Sequence, residues 1–339
     1  MSRLFNVAVV GATGAVGEVM LSVLAERKFP IGELVALASA RSAGSTVQFD
    51  GREITVRDLA TFDPHGIDIA LFSAGGATSK EYAPKFAAAG AVVIDNSSTF
   101  RYDDDVPLVV SEVNPDAIAQ CPRGIIANPN CSTMQLMVAL APIHRAVGIE
   151  RINIATYQSV SGAGRSAVEE LGRQTAALLR FEPADPQRFP TQIAFNLFPH
   201  GGDFLDNGYT TEEMKLVWET RKILGDPSIG VNATVVRVPV FYGHSEAVAI
   251  ETREKISAAQ ARALLEKAPG VVVVDEPRSG GYPTPVTHAA GTDPVYVGRI
   301  REDISHPRGL NLWVVSDNIR KGAALNAVQI AELLSKGYS

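Results

Sequence analysis

Leu4-Phe-Asn-Val-Ala-Val-Val-Gly11-Ala-Thr-Gly14-Ala-Val-Gly17 decides the architecture of this chain. The first seven residues are a short apolar run rich in valine, the pattern of a parallel strand buried on both faces. Three glycines spaced G-x-x-G-x-x-G follow, and then an amphipathic segment from Glu18 to about Arg27 that reads as a helix. In such a unit Gly11 allows the tight turn and Gly14 lets backbone approach a pyrophosphate. Gly17 lets the helix pack closely on the strand. The spacing differs from the usual G-x-G-x-x-G, so the strand–loop–helix context carries the reading of a dinucleotide site. A glycine turn serving structure alone is the plainer alternative.

The second strand, Glu33-Leu-Val-Ala-Leu-Ala38, says which dinucleotide is expected. An NAD site usually places a carboxylate about 20 residues beyond the glycine loop, on the ribose 2′-hydroxyl. Here that place holds Ser39, Arg41 and Ser42. A guanidinium and hydroxyls suit a 2′-phosphate, so the reading is NADP; an ordinary surface arginine is the alternative.

Strands and helices go on alternating. Ile67–Phe72 reads as a strand whose loop, Ser73–Thr78, opens a helix around Lys80–Ala89. Ala91–Ile94 is the next strand and ends in Asp95-Asn-Ser-Ser-Thr-Phe-Arg101. Ligands gather outside the carboxyl ends of parallel strands, which makes Arg101 a candidate anion ligand, or else a solvated arginine. Leu108–Val110 and Gly124–Ala127 look like further strands. The latter runs into Asn128-Pro-Asn-Cys-Ser-Thr133 and an apolar helix, Met134–Leu140. Pro129 disfavours helix at Asn128 and Asn130 is a good N-cap, so the helix is expected to begin at Cys131. A thiol in a helix's first turn meets unpaired N–H groups and the positive end of the dipole, which favour thiolate. Cys131 is therefore either a nucleophile or a small core residue.

Beyond Cys131 the pattern changes. Glu150–Val160 is a long strand ending in a second small-residue loop, Ser161-Gly-Ala-Gly164, which opens a helix at Ala167–Leu179. Residues Phe181–Asp206 form an irregular excursion, and Thr210-Thr-Glu-Glu213 is a capping box for a helix to about Leu224. Strands at Asn232–Val240, Glu246–Thr252, Val271–Val274, Val295–Ile300 and Leu310–Val315 surround a helix at Ser257–Ala268. Such runs imply a mixed or antiparallel sheet in a separate domain. A last helix, Gly322–Ser335, is expected to return to the first domain. Gln158, Arg237 and His244 are polar residues in or beside apolar strands, and Arg237 needs an anionic partner there. Glu212 and Lys215 lie three apart on one helix face. A structural ion pair and a satisfied core histidine remain the plain readings.

The 339 residues suffice for two domains, and 46% hydrophobic with 20% charged residues is an ordinary globular balance. No apolar run nears the ~18 residues of a membrane span, and the N-terminus reads as a strand rather than a signal peptide, so a cytoplasmic protein is expected. Two cysteines give no disulfide framework and six scattered histidines give no metal spacing. A net charge of −6 argues against nucleic acid. A thiol, an imidazole, several cations and a nicotinamide cofactor together point to acyl-thioester chemistry on a carboxyl derivative.

Taken together, Gly11-Ala-Thr-Gly-Ala-Val-Gly17, Asp95–Arg101, Asn128–Thr133, Gln158 with Ser161–Gly164, Glu212-Glu-Met-Lys215, Arg237-Val-Pro-Val-Phe-Tyr-Gly-His244 and Asp317-Asn-Ile-Arg-Lys-Gly322 resemble the bacterial aspartate-β-semialdehyde dehydrogenases over the whole length. The resemblance implies a Rossmann-like NADP-binding domain, 1–130 with 317–339, and an α+β catalytic and dimerisation domain with a mixed sheet, 131–316. It implies reduction of L-aspartyl-4-phosphate by NADPH to L-aspartate 4-semialdehyde and phosphate, on the route to lysine, diaminopimelate, threonine, methionine and isoleucine, by a homodimer. Cys131 would be the nucleophile, His244 the acid/base and Gln158 a substrate-positioning residue. Arg101 and Lys215 with Asn130 would hold phosphate, Arg237 the α-carboxylate and Glu212 the ammonium group. Gly11, Thr13, Gly14, Ala15, Val16, Arg41, Ser42, Ser161, Gly162 and Asn318 would surround NADP; no metal is implied. N-acetyl-γ-glutamyl-phosphate reductase is the rival within the enzyme class, although Glu212 favours a free ammonium. A non-catalytic NADP-binding relative is the rival outside it.

Overall fold

The computed structural model describes residues 3–337. The chain divides into two compact units, residues 1–130 with 323–339, and residues 131–322. Along the first unit run β1 (Phe5–Val10), α1 (Ala15–Glu26), β2 (Ile31–Ala38), β3 (Thr46–Phe49), β4 (Arg52–Asp58), β5 (Ile69–Phe72), α2 (Gly76–Ala88), β6 (Val92–Asp95) and β7 (Ile125–Ala127). The second unit holds α3 (Cys131–Val147), β8 (Ile149–Gln158), α4 (Arg165–Leu179), α5 (Thr211–Leu224), β9 (Gly230–Arg237), β10 (His244–Thr252), α6 (Ala258–Leu265), β11 (Val271–Val273), β12 (Val295–Glu302) and β13 (Gly309–Ser316). The closing helix α7 (Asn326–Ser335) belongs to the first unit.

The first unit's sheet has the order β3-β4-β2-β1-β5-β6-β7 and is parallel except at the β3–β4 edge. Its central strands are buried on both faces, as their continuous apolar runs require. The loop between β1 and α1 is set by contact. Gly11 takes φ +87°, and a Cβ on Gly17 would lie 2.2 Å from the Gly11 carbonyl oxygen. The tight β1–α1 turn therefore tolerates only hydrogen at position 17.

The second unit's sheet, β11-β12-β13-β10-β8-β9, is mixed: β11–β12 and β8–β9 are parallel and the other neighbours antiparallel. α3 packs against β8, β10, β12 and β13 and against α5 and α6. Eleven of its residues are buried, which is why its sequence is apolar nearly all round.

Several expectations change in detail. The hairpin β3–β4 was not expected; it turns on Asp50-Gly51, both at positive φ, a pairing that favours two-residue hairpins. Leu108–Val110 is no strand but a single parallel bridge, Leu108 to Ala127. The Asn114 side chain takes the Val110 N–H, and the Val110 carbonyl closes a turn to Val113 and Asn114, so pairing stops. Gly322–Ser335 is not one helix: a wide turn over Arg320–Leu325 precedes α7. The chain also returns to the first unit at 323 rather than 317. Residues 317–322 stay with the second unit because Asp317 accepts the Gly291 N–H and Asn318 bonds Ser159 and Ser161.

Gly17→Ala should be destabilising beyond the roughly 1–3 kcal/mol of ordinary overpacking, because the obstructing atom is backbone. Chemical denaturation measures it, and a loss under about 1 kcal/mol would show that the loop opens freely.

Candidate active site

In the first unit the glycine loop ends at Gly14, which precedes α1 without any side-chain cap. The first-turn N–H groups at Ala15, Val16 and Gly17 are thus open to an outside acceptor. Thr13 sits half-buried in the same loop, and Glu18 alone is acidic in the first turn. Arg41 and Ser42 occupy the exposed turn after β2, where the Ser42 N–H bonds the Ser39 carbonyl. Arg41 enters no ion pair among the described residues, so its charge is unspent. These features fit a phosphate-bearing dinucleotide: a cradle that only glycine leaves open, and an uncommitted cation after the second strand.

Arg101 is buried, with Nε donating to the Asn128 carbonyl at 2.9 Å and Nη2 to the Asn96 carbonyl at 2.8 Å. Backbone therefore fixes this guanidinium at the ends of β6 and β7. Asp95 organises the same loop, receiving the hydroxyls of Ser79 and Ser97. Asn130, buried, is the unit's last residue before the break.

In the second unit Cys131 is the first residue of α3 and is half-buried. Gly322 lies against it: a Cβ there would come within 2.7 Å of the Cys131 Cβ. Next along α3, Ser132 accepts the Gln158 amide at 3.0 Å, tying the helix start to the end of β8. His244 starts β10 and is fully buried. Its Nδ1 accepts the Ser159 N–H at 3.1 Å, with the Ser159 hydroxyl at 3.0 Å. Because a backbone N–H donates to Nδ1, the neutral ring carries its proton on Nε2, which has no hydrogen-bond partner among the described residues. Burial, with the Arg237 charge, pushes the imidazole down to about 3.

Gly162 sets the wall. A side chain there would strike the His244 Cε1 and Nε2 at 3.1 Å and the Arg237 Nη1 at 3.3 Å. Arg237 is buried at the end of β9 and gives Nη1 to the Ser159 carbonyl at 2.8 Å. Burial depresses its guanidinium, and negative charge at Glu212 and then at Cys131 works the other way. The anionic partner expected for Arg237 is thus Glu212 at Coulombic range, while the direct bond goes to backbone. Glu212 and Lys215 pair at 2.7 Å on α5, whose start has the expected capping box.

Two contributors escaped the sequence reading, and the first is Ser159. Ser159 and Ser161 share Asn318: its Oδ1 also accepts the Gly243 N–H at 3.0 Å, binding the ends of β8, β10 and β13 together. Asn318 was expected at the cofactor, and its side chain is occupied by this network. The second is Glu170 of α4, which takes the N–H groups of Gln187, Arg188 and Phe189 and pins the irregular excursion. Arg188 then reaches the Ala163 carbonyl beside Gly162.

The depressed imidazole gives a measurable signature. As pH falls from about 6.5 the unfolded chain binds a proton that folded His244 refuses until about 3. Stability from this residue is complete above the unfolded value and drains as pH falls, by at most about 1.4 kcal/mol per pH unit. Relative to His244→Gln, the wild type should lose stability between about pH 6.5 and pH 4.5. A constant difference in denaturation free energy would mean that the folded imidazole is charged.

Comparison with known proteins gives one answer. Residues 6–121 match the model of the semialdehyde dehydrogenase NAD binding domain and residues 140–321 that of the semialdehyde dehydrogenase dimerisation domain. An aspartate-semialdehyde dehydrogenase of Legionella pneumophila is 63% identical over 100% of this chain and 98% of its own. Aspartate-semialdehyde dehydrogenase 2 of Vibrio cholerae is 60% identical with both chains fully covered. The crystal structure of aspartate semialdehyde dehydrogenase II from Vibrio cholerae complexed with ASA superposes with a TM-score of 0.97 at 59% identity, covering 100% of each chain.

Proposed function

The chain belongs to the aspartate-semialdehyde dehydrogenase family, and we infer from that membership that it reduces L-aspartyl-4-phosphate to L-aspartate 4-semialdehyde and phosphate with NADPH. This is a step of aspartate-family amino-acid biosynthesis, and the enzyme is a homodimer. The observation that carries the reading is a likeness running the full length of both units. No helix among the described residues is long and apolar enough to cross a membrane, and a biosynthetic role on small anions suits the cytoplasm.

For the residues we propose the following division of work. The Cys131 sulfur attacks the acyl carbonyl carbon; the carbon–oxygen bond to phosphate breaks, and phosphate leaves with the bonding pair. A thioester on Cys131 remains. NADPH, when bound, would supply the hydride to the thioester carbonyl carbon; the carbon–sulfur bond then breaks, the Cys131 sulfur leaves with the bonding pair, and the aldehyde is released. His244 offers its Nε2 proton to the carbonyl oxygen as that oxygen gains charge, in both addition steps. A neutral imidazole can do this as an electrophile without first being protonated. Gln158, fixed by Ser132, orients the acyl group. Arg237 takes the α-carboxylate, Glu212 the ammonium group, and Arg101, Asn130 and Lys215 the phosphate. Gly11, Thr13, Gly14, Ala15, Val16, Arg41, Ser42, Ser161, Gly162 and Asn318 surround NADP. Residues 1–130 with the closing helix form the cofactor domain and the segment after Cys131 the catalytic and dimerisation domain. Asn153, Ala155, Ala247 and Ala249 line a shallow pocket on β8 and β10, an outer sheet face suited to a second copy.

The deciding experiment is phosphate-dependent reduction of NADP with aspartate semialdehyde. Wild type should be active and Cys131→Ala should lose at least about 10⁴-fold, since no other group can form the acyl-enzyme. Substantial activity in Cys131→Ala would sink the covalent route.

Cofactor choice has its own check. Arg41→Ala should raise KM for NADP about tenfold or more and leave NAD use nearly unchanged, as the loss of one charged contact to a 2′-phosphate would. Equal losses with both would give Arg41 a merely structural part.

A further inference from the structure

Glu246 is a fully buried carboxyl that the mechanism does not use. It lies on β10 two residues beyond His244, so both side chains point to the same sheet face. Across the strand pair Glu246 stands opposite Thr156 of β8; the pairing ends at Ser245–Tyr157, and His244 and Gln158 are the next residues beyond it at the ends of the two strands. Directly opposed residues share a face. The sheet therefore presents two polar rungs in succession: His244 with Gln158, then Glu246 with Thr156. The next pair on that face, Val248 with Ile154, is apolar.

α3 meets both rungs. Ser132 receives the Gln158 amide at the first. Gln135, three residues on and hence on the same helix face, is the side chain that lies beside Glu246 at the second. The approach is loose: neither Glu246 oxygen, neither amide atom of Gln135 and not the Thr156 hydroxyl has a partner at hydrogen-bond distance and angle. Burial pushes the Glu246 carboxyl well above the usual carboxylate range. Gln135 from α3, Thr156 from β8 and Val314 from β13 face it, none of them charged, and His244 is the titratable neighbour on its own strand.

We propose that Glu246 is a positioning residue for the nucleophile: through Gln135 it holds the first turns of α3 on the sheet and so fixes the Cys131 sulfur relative to His244. An apolar residue would fill the space more cheaply, since a buried carboxyl without an aligned partner costs stability. Two polar contacts on successive rungs, the Ser132–Gln158 hydrogen bond and the side-by-side approach of Gln135 to Glu246, set the helix's rotation and height, which apolar contact leaves adjustable. Misplacement of a reacting group by about 1 Å can cost on the order of 10²-fold in rate. The proposal rests on Cys131 and His244 acting as described above.

The test compares Glu246→Gln, Glu246→Leu and the double variant Glu246→Leu/Gln135→Leu in the phosphate-dependent assay and in thermal melting. Glu246→Leu should lower kcat at least about tenfold with KM changed under about twofold, and Glu246→Gln should restore kcat to within about threefold. The double variant, apolar on both sides, should melt near the wild type yet keep the low kcat. If its kcat recovers along with its melting temperature, or if folded Glu246→Leu turns over normally, Glu246 is only core filling and the proposal falls. The double variant decides the matter alone if Glu246→Leu does not fold. An uncharged acid also predicts that the melting temperature of the wild type relative to Glu246→Gln drops as pH rises from about 5 to 8, because a raised carboxyl loses its stabilisation in that direction. A flat difference would show an ionised Glu246 and overturn the arrangement. Activity surviving Cys131→Ala would defeat the catalytic assignment instead, a separate failure from an unaltered rate in Glu246→Leu.

Discussion

The side chain of Asn318 is the constraint on which the second unit's chemistry depends. One amide oxygen receives the hydroxyls of Ser159 and Ser161 and the Gly243 N–H, so the ends of β8, β10 and β13 meet at one atom. From that junction the rest follows. Ser159, held there, presents its N–H to His244 and its carbonyl to Arg237. Both groups are buried, and each would be costly to bury without such a bond. Gly162 finishes the arrangement by having no side chain where the ring and the guanidinium lie.

The backbone bond to Nδ1 does more than orient the ring. It leaves the proton on Nε2 and removes Nδ1 as a free base. An imidazole so placed is a donor at neutral pH, which suits an oxygen that becomes negative twice in the proposed reaction. Glu170 plays a comparable structural part further out. Three consecutive N–H groups of the excursion end on its carboxylate, so a segment with no regular secondary structure is ordered from α4.

Much of this was legible in the sequence, for identifiable reasons. Strand, glycine turn and helix at residues 4–27 are local signals, and the start of α3 at Cys131 follows from Pro129. The Thr210–Glu213 box is equally local. The Asp50-Gly51 turn of the β3–β4 hairpin is a local signal of the same kind. What could not be read were side chains whose partners come from remote segments. Asn318 lies 157 residues from Ser161, and Glu170 looks like any solvated helical glutamate until the excursion folds over it. Lys215 and Glu212, three apart, show the converse: proximity was predictable, and their mutual pairing at 2.7 Å is the outcome local spacing favours. Glu246 carried a signal of another kind, a carboxylate on the buried face of an alternating strand.

Arg237 finally bears on how a neutral imidazole and the proposed nucleophile, Cys131, share one unit. In a thiol–imidazole pair the usual stabiliser of thiolate is the imidazolium itself. Here the imidazole resists protonation, and the guanidinium is one of the reasons. The same guanidinium and negative charge on the Cys131 sulfur stabilise each other. One buried cation therefore works in two directions, disfavouring positive charge on His244 and favouring negative charge on Cys131. The helix start adds to the second effect, since Cys131 is the first residue of α3 and lies at the positive end of its dipole. On this account the two reacting groups need not exchange a proton before substrate arrives. In the proposed reaction the field of Arg237 and the start of α3 would favour negative charge on the Cys131 sulfur, leaving the His244 Nε2 proton for the substrate oxygen.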